Sequence, residues 1–211
     1  MGLTEEVRNS RKQSMLLSSH IPKMYTGDIK LRPYPTDKSA FDVLKKYKDD
    51  IVRFVNDGYN LLIYSSNVGN GKTSWAIKLA LAYLDYICAY APDSPPVIYV
   101  NLKNYLDSKK ASFEDKSMLS YINDLEYELK NARLVIWDDI GIKGLTEYEQ
   151  GIFYNLIEYR TSNLKSNIYT SNIGLKEFSE SFGERTADRI LGYADKIQLS
   201  GPSMRTNKSF I

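Results

Sequence analysis

The stretch from Ser66 to Thr73 reads S-N-V-G-N-G-K-T. It fits the phosphate-binding loop pattern G-x-x-x-x-G-K-[ST] at every fixed position except the first, where serine replaces glycine. Gly69 and Gly71 leave the backbone free to turn its N–H groups toward phosphate oxygens, while Lys72 adds charge and Thr73 a hydroxyl for Mg²⁺. We therefore predict a nucleotide-binding segment made of Ser66, Asn67, Val68, Gly69, Asn70, Gly71, Lys72, Thr73 and Ser74. We expect Ser66 to add some backbone strain or lower the affinity without abolishing binding.

The segments around this loop alternate between strand and helix. A β-rich run, "NLLIYS", precedes the loop, and a helical pattern follows it from Lys72 to about Tyr90. Four more apolar runs, "VIYVN", "LVIWDD", "NIYTSN" and "DKIQLS", are separated by helical stretches. Strands that are apolar along their whole length are typical of a parallel sheet covered on both faces. The sequence predicts an α/β fold with a five-stranded parallel sheet, whose ligands bind at the carboxyl ends of the strands.

Two adjacent carboxylates end the third predicted strand. Asp138 and Asp139 follow "LVIW", about 65 residues after the glycine loop. A carboxylate at this place can hold Mg²⁺, and a second one can orient a water molecule or accept its proton. Together with the loop, this pair predicts a nucleoside triphosphatase with Thr73 and Asp138 as metal ligands.

The composition excludes several other kinds of site. The chain has 211 residues, one cysteine, one histidine and a net charge of +2. One cysteine and one histidine cannot form a disulfide, a zinc finger or a persuasive Ser-His-Asp arrangement. The small net charge means that any DNA contact needs a local basic patch. We find no signal peptide or membrane span and expect a cytoplasmic protein.

The first part of the chain differs in composition from the rest. Residues 1–36 are polar, of mixed charge, and end in the breakers Pro33 and Pro35. We interpret them as an appendage with a short helix near residues 4–17 and a possible partner contact. Residues 37–211 form the predicted nucleotide-binding domain.

Beyond the loop and "LVIWDDIG", the motifs "IPKMYTG", "NIYTSN", "GERTADRI" and "SGPSMR" occur in a fixed order. This order resembles the AAA+ ATPases of the DnaC/DnaI-type helicase loader group and their IstB-like relatives, over about residues 20–206. The resemblance implies a P-loop core with a minimal or absent helical lid, ATP and Mg²⁺ as cofactors, and hydrolysis that is slow because Asp139 replaces the commoner glutamate. A phage origin would fit.

The resemblance also implies roles for single residues. Asn172 resembles the sensor 1 residue, Arg189 the arginine finger and Arg205 sensor 2, with Arg185 and Arg160 as competing fingers. With Asp139, the implied catalytic set is Asp139, Asn172, Arg189 and Arg205. A finger acting on a neighbouring subunit implies self-association.

Partners follow from the same resemblance. It implies single-stranded DNA, with candidate contacts at Lys103, Lys109, Lys110, Tyr105 and Phe113, and a hexameric replicative helicase during replication initiation. We expect no counterpart of the separate, often zinc-binding, N-terminal domain of DnaI-type loaders, because the sequence has only one cysteine. Two alternatives stay open: an IstB-like transposition helper, and a nucleotide-gated, non-catalytic binder of a replication protein.

Overall fold

The computed structural model describes residues 4–90 and 95–204. In chain order the elements are α1 (Glu5–Ser18), α2 (Lys38–Asp49), α3 (Ile51–Asn56), β1 (Asn60–Tyr64), α4 (Lys72–Ile87), β2 (Val97–Asn101), α5 (Leu102–Ala111), α6 (Lys116–Asn131), β3 (Leu134–Asp138), α7 (Glu147–Ser162), β4 (Ser166–Ser171), α8 (Phe178–Phe182), α9 (Glu184–Tyr193) and β5 (Ala194–Gln198). Within the described residues, no helix follows β5. In the same ranges, no helix is long and apolar enough to cross a bilayer.

The five strands form one parallel sheet in the order β2-β3-β4-β1-β5, as predicted. Side chains alternate between the two faces of a strand, and the apolar core is divided accordingly. In β1, Leu61 and Ile63 pack with α4 on one face, while Leu62 packs with the second cluster on the other face. Burial on both faces explains why β1 and β3 are apolar at nearly every position. The prediction of apolar character along the whole strand fails for β4, which buries Ser166, Asn167, Thr170 and Ser171, and for the edge strand β5, which exposes Asp195, Lys196 and Gln198.

The strand register brings several chain turns to one edge of the sheet. Asn101 pairs with Asp138, and Tyr64 pairs with both Ser171 and Gln198. The glycine loop, Asp139, Asn172 and the segment after β5 therefore all start from the same carboxyl edge.

The front segment packs closely on the core. Met15, Leu16 and Ile21 are buried in the same cluster as α4. Beyond α1, the carbonyl of Ser19 accepts a hydrogen bond from the Tyr99 N–H at 2.8 Å, beside the edge strand β2. Other apolar side chains of this segment stay on the surface, since Val7, Leu17 and Met24 are 41%, 82% and 80% exposed.

The helical segment before β1 is divided into two helices, α2 and α3. Asp50 has φ −105° and ψ 18°, which ends α2 and starts α3. The break lets Ile51, Phe54 and Val55 reach the core from a new direction.

Arg160 is fully buried, so its candidacy as an arginine finger is wrong. It is 0% exposed, and its guanidinium donates to the carbonyls of Leu129, Ala132 and Ser166 and to Asn167 Oδ1. Burial lowers its pKa to about 9, which still leaves the charged form at neutral pH. Arg160 thus joins the ends of α6 and α7 to the start of β4 and cannot reach a neighbouring subunit.

Replacing Arg160 should strongly destabilise the fold. We expect Arg160→Leu to lower the free energy of unfolding by at least about 3 kcal/mol, because several buried acceptors lose their donor. Urea unfolding followed by circular dichroism measures the loss. The matched Arg185→Leu change removes an exposed guanidinium and should shift stability by less than about 0.5 kcal/mol. Equal stability of the two variants would contradict this role.

Candidate nucleotide-binding site

The loop between β1 and α4 has the backbone that phosphate binding requires. Gly69 and Gly71 have φ values of 75° and 100°, in the left-handed region that favours glycine. Ser66 does not have a positive φ, so the serine is not forced into the left-handed region. The loop borders a cavity of about 580 Å³, a volume within the usual range for ligand pockets.

Lys72 lies at the start of α4 with its ammonium folded across the loop. Its side chain lines the cavity although the residue is only 6% exposed. The Nζ atom donates to the carbonyl of Asn67 at 2.7 Å and to Asn70 Oδ1 at 3.3 Å. The charge is therefore held beside the loop backbone and the N-terminus of α4, where anions are favoured.

The Asp138 carboxylate accepts hydrogen bonds from three hydroxyl groups, which lie on three different elements. Its Oδ1 accepts from Thr73 on α4 and from Thr170 on β4, each at 2.7 Å. Its Oδ2 accepts from the Tyr99 hydroxyl on β2, also at 2.7 Å. Burial, and then the Asp138 charge, raises the pKa of Tyr99. These donors hold a nearly buried carboxylate in one orientation beside the loop.

Asp139 faces the cavity in a left-handed conformation. Its φ is 54°, a region that aspartate tolerates better than most residues. The Asp139 N–H donates to Thr170 Oγ1 at 2.9 Å, and its Oδ1 accepts from Asn172 Nδ2. The predicted sensor residue and the predicted water-activating carboxylate are thus in direct contact.

These residues fit a nucleoside triphosphate and Mg²⁺. The loop offers backbone N–H groups and one ammonium for phosphates, and Thr73 with Asp138 offers two oxygens beside them. Mg²⁺ in such sites takes only one or two protein oxygens, with phosphates and water completing the shell. This agrees with the absence, within the described ranges, of any cluster of three or more acidic, histidine or cysteine side chains suited to a metal.

The segment after β5 is bonded to the back of the loop. The Asn67 side chain donates to the carbonyls of Ser200 and Gly201 at 2.9 and 3.2 Å, and the Met204 N–H donates to the Gly69 carbonyl at 2.9 Å. Asn70 donates to Ser65 Oγ at 2.8 Å. Asn67 and Asn70 therefore hold the loop, while Val68, Gly69, Gly71, Lys72, Thr73 and Ser74 line the cavity.

Asp37 anchors the same segment from the other side. It is 2% exposed, and its carboxylate accepts from the N–H groups of Ser200 at 2.6 Å and Gly201 at 3.0 Å. A Cβ at position 201 would lie 2.6 Å from Asp37 Oδ2 and 2.9 Å from Tyr34 Cβ. Sequence reasoning missed Asp37, because its partners lie 163 and 164 residues away along the chain.

Further cavity residues come from the front segment. Met24, Tyr25, Lys30 and Leu31 line the cavity together with Tyr99, Thr170 and Met204. The Lys78 ammonium holds this segment to α4 by donating to the Ile29 carbonyl at 2.7 Å. The motif "IPKMYTG" was noted in the sequence, but no pattern there indicated that it would form a cavity wall.

Comparison with known proteins assigns the family. The sequence profile of the IstB-like ATP-binding proteins matches residues 5–210, nearly the whole chain. The chain belongs to this family. It is 25% identical over 192 residues to the replicative helicase loader DnaC of Buchnera aphidicola, covering 90% of this chain and 73% of that protein. An insertion sequence IS21 ATP-binding protein of Pseudomonas aeruginosa is 26% identical over 157 residues, covering 72% of this chain and 54% of that protein.

Solved structures show the same fold. The crystal structure of the DnaC helicase loader matches with a TM-score of 0.64 and 18% identity, over 84% of this chain and 99% of that one. The AMPPCP-bound DnaA of Aquifex aeolicus matches with a TM-score of 0.64 and 19% identity, over 87% of this chain and 53% of that one. The IstB-like chain thus has the AAA+ P-loop fold predicted for it.

The two other candidate fingers of this IstB-like protein, Arg189 and Arg185, do not line the cavity. Arg189 on α9 is ion-paired with Glu158 on α7, donating from Nη2 to Glu158 Oε1 at 2.9 Å. Arg185 is exposed. Arg205 lies outside the described residues, so its sensor 2 role stays a prediction.

The predicted DNA contacts divide into buried and exposed residues. Tyr105 is 2% exposed and donates to Glu126, so its assignment as a base-stacking residue is wrong. Lys109 is ion-paired with the same Glu126 at 2.7 Å. Lys103, Lys110 and Phe113 are exposed. Phe113 packs on Tyr148, with 6.0 Å between ring centroids.

Gly201→Ala should weaken nucleotide binding. The added Cβ has no space against Asp37 and Tyr34, so the segment that braces the loop must shift. We expect at least about a fivefold loss of affinity for a fluorescent ATP analogue and about 1–3 kcal/mol of lost stability, as for other overpacked sites. Gly192→Ala is the matched control, because nothing lies within 4 Å of its added Cβ. Unchanged affinity in Gly201→Ala would show that the segment does not support the loop.

Proposed function

We propose that this protein is an ATP-dependent loader that places a hexameric replicative helicase on single-stranded DNA during replication initiation. The observation that carries the proposal is the Asp139–Asn172 pair, which faces the same cavity as Lys72, Thr73 and Asp138. The 25% identity with the Buchnera DnaC loader over 90% of this chain supports the choice of role. Because other matched relatives are covered over only about half of their length, this role remains a proposal for the whole protein.

In this mechanism the chain binds ATP mainly through the loop. Backbone N–H groups and the Lys72 ammonium contact the terminal phosphates, and Thr73 with Asp138 would hold Mg²⁺. Bound Mg²⁺ would neutralise phosphate charge. Asp139 accepts a proton from the attacking water, which Asn172 helps to place. The aspartate side chain is shorter than glutamate, and we infer slow hydrolysis suited to a switch.

We infer that hydrolysis requires a second subunit. No described residue that lines the cavity is an arginine, although phosphoryl transfer gains greatly from an arginine finger. Arg189 is our candidate for this finger in trans. In the single chain its guanidinium is paired with Glu158, so assembly would exchange that carboxylate for a phosphate.

The DNA-binding surface that we propose consists of Lys103, Lys110, Phe113 and Tyr148. Phe113 and Tyr148 are 66% and 54% exposed. Hydrogen bonds from Thr146, and then the charges of Lys103 and Lys110, lower the pKa of Glu149, which places both lysines beside the start of α7. Cations beside exposed rings suit a single strand, whose bases stack while its phosphates are neutralised.

A transposition helper is the second candidate. The observation that favours it is the 26% identity with the IS21 ATP-binding protein. This role would require duplex DNA and a transposase as partners, so duplex binding in preference to single strands would favour it.

The loader role predicts an ATP-dependent complex with the replicative helicase of the same organism. Light scattering after size exclusion, with ATP and Mg²⁺, should show one defined complex that Lys72→Ala abolishes. Asp139→Asn keeps a residue that tolerates a positive φ, so it should form the complex while ATP turnover falls at least about 100-fold. Arg189→Ala should lower turnover and the number of subunits per complex. No complex with the wild-type protein under any nucleotide condition would contradict the role.

The DNA surface predicts stacking by Phe113 and Tyr148. Single alanine substitutions of either ring should each weaken binding of a fluorescent oligothymidine about tenfold, since one stacked base contributes about 1–3 kcal/mol. Lys110→Ala should lower the slope of log affinity against log salt concentration by about one, because one fewer counterion is released on binding. Tyr90→Ala, an exposed ring on the far end of the α4 segment, is the control. Equal losses at Tyr90 and Phe113 would contradict a local platform.

A further inference from the structure

We propose that Tyr99 is a positioning residue, which orients the Asp138 carboxylate and thereby sets the affinity of the nucleotide site for Mg²⁺. The inference rests on the proposed nucleotide chemistry and deepens it. It adds a residue from an edge strand that no motif in the sequence indicated.

The hydroxyl of Tyr99 completes the set of donors on Asp138. Thr73 and Thr170 both donate to Oδ1, which leaves Oδ2 to Tyr99 at 2.7 Å. Two donors on one oxygen still allow the carboxylate to rock about its Cβ–Cγ bond. A donor on the second oxygen restrains that rotation, so the plane of the carboxylate depends on Tyr99.

The backbone of Tyr99 is fixed from both sides. Its register partner on β3 is Ile136, and on the outer side its N–H donates to the Ser19 carbonyl at 2.8 Å. The ring lines the cavity beside Asp138 and Thr73. The front segment, through Ser19, therefore takes part in placing the Tyr99 hydroxyl.

This arrangement bears on metal affinity through Thr73. The Thr73 hydroxyl directs its proton to Asp138 Oδ1, so a lone pair of Oγ1 is left to point into the cavity. A carboxylate that rotates would turn this lone pair away from the site. Outer residues that orient metal ligands in this way typically change metal affinity by about 10–100-fold.

The test is Tyr99→Phe, which removes one oxygen and keeps the ring. We would measure binding of a fluorescent ADP first in EDTA and then during titration with MgCl₂. The wild-type protein and Tyr99→Phe should bind ADP equally in EDTA, because the loop and Lys72 are untouched. Mg²⁺ should increase the affinity for ADP, and the MgCl₂ concentration that gives half of this increase should be about tenfold higher for Tyr99→Phe than for the wild type. Tyr86→Phe is the matched control, since its hydroxyl contacts only the exposed Tyr90 hydroxyl in the described structure, and its titration should match the wild type.

Several results would overturn the inference. A Tyr99→Phe titration that coincides with the wild type, or that shifts to lower MgCl₂, would show that the hydroxyl does not hold the carboxylate for the metal. An equal loss of ADP affinity in EDTA and in MgCl₂ would indicate general damage to the pocket instead. Failure of the nucleotide site itself is distinguishable, because the wild type would then bind no ADP and Lys72→Ala would change nothing.

Discussion

The placement of the site depends on one buried carboxylate. Burying a charge is costly unless hydrogen bonds replace its water, and Asp138 receives three hydroxyl donors. These donors come from β2, α4 and β4, while Asp138 itself ends β3. The first turn of α4 is therefore tied through Asp138 to β2, β3 and β4. Because the glycine loop leads directly into α4, this tie also determines where phosphates can bind.

A second set of bonds holds the other side of the loop, and it explains how the pattern tolerates a serine. Glycine is required where φ is positive, which is the case at Gly69 and Gly71 but not at Ser66. The loop conformation is supported instead by Asn67 and Asn70, which bond the segment after β5. That segment is in turn held by Asp37. The loop does not need a glycine at position 66, because the backbone there does not have a positive φ.

Local patterns predicted the sheet, the helices and the position of the acidic pair, since these depend on apolar periodicity and on neighbours in sequence. They could not predict contacts between distant segments. Asp37 and Gly201 are 164 residues apart, and a charged residue before a helix gives no sign of such a partner. Arg160 and Tyr105 were misassigned for a related reason: their types suit exposed binding roles, whereas the structure buries both among acceptors.

The single chain holds a site that is built for binding more completely than for hydrolysis. Lysine, hydroxyl and carboxylate groups already surround the phosphate position, and Asp139 is held by Asn172 in a conformation that few other residues tolerate. Arg189, which we propose as the arginine finger, is paired with Glu158 instead of lining the cavity. If Arg189 left Glu158 and bound a phosphate of the nucleotide on an adjacent subunit, hydrolysis would depend on assembly. ATP could then stabilise a complex before it is consumed, which is the order of events that a loading switch requires.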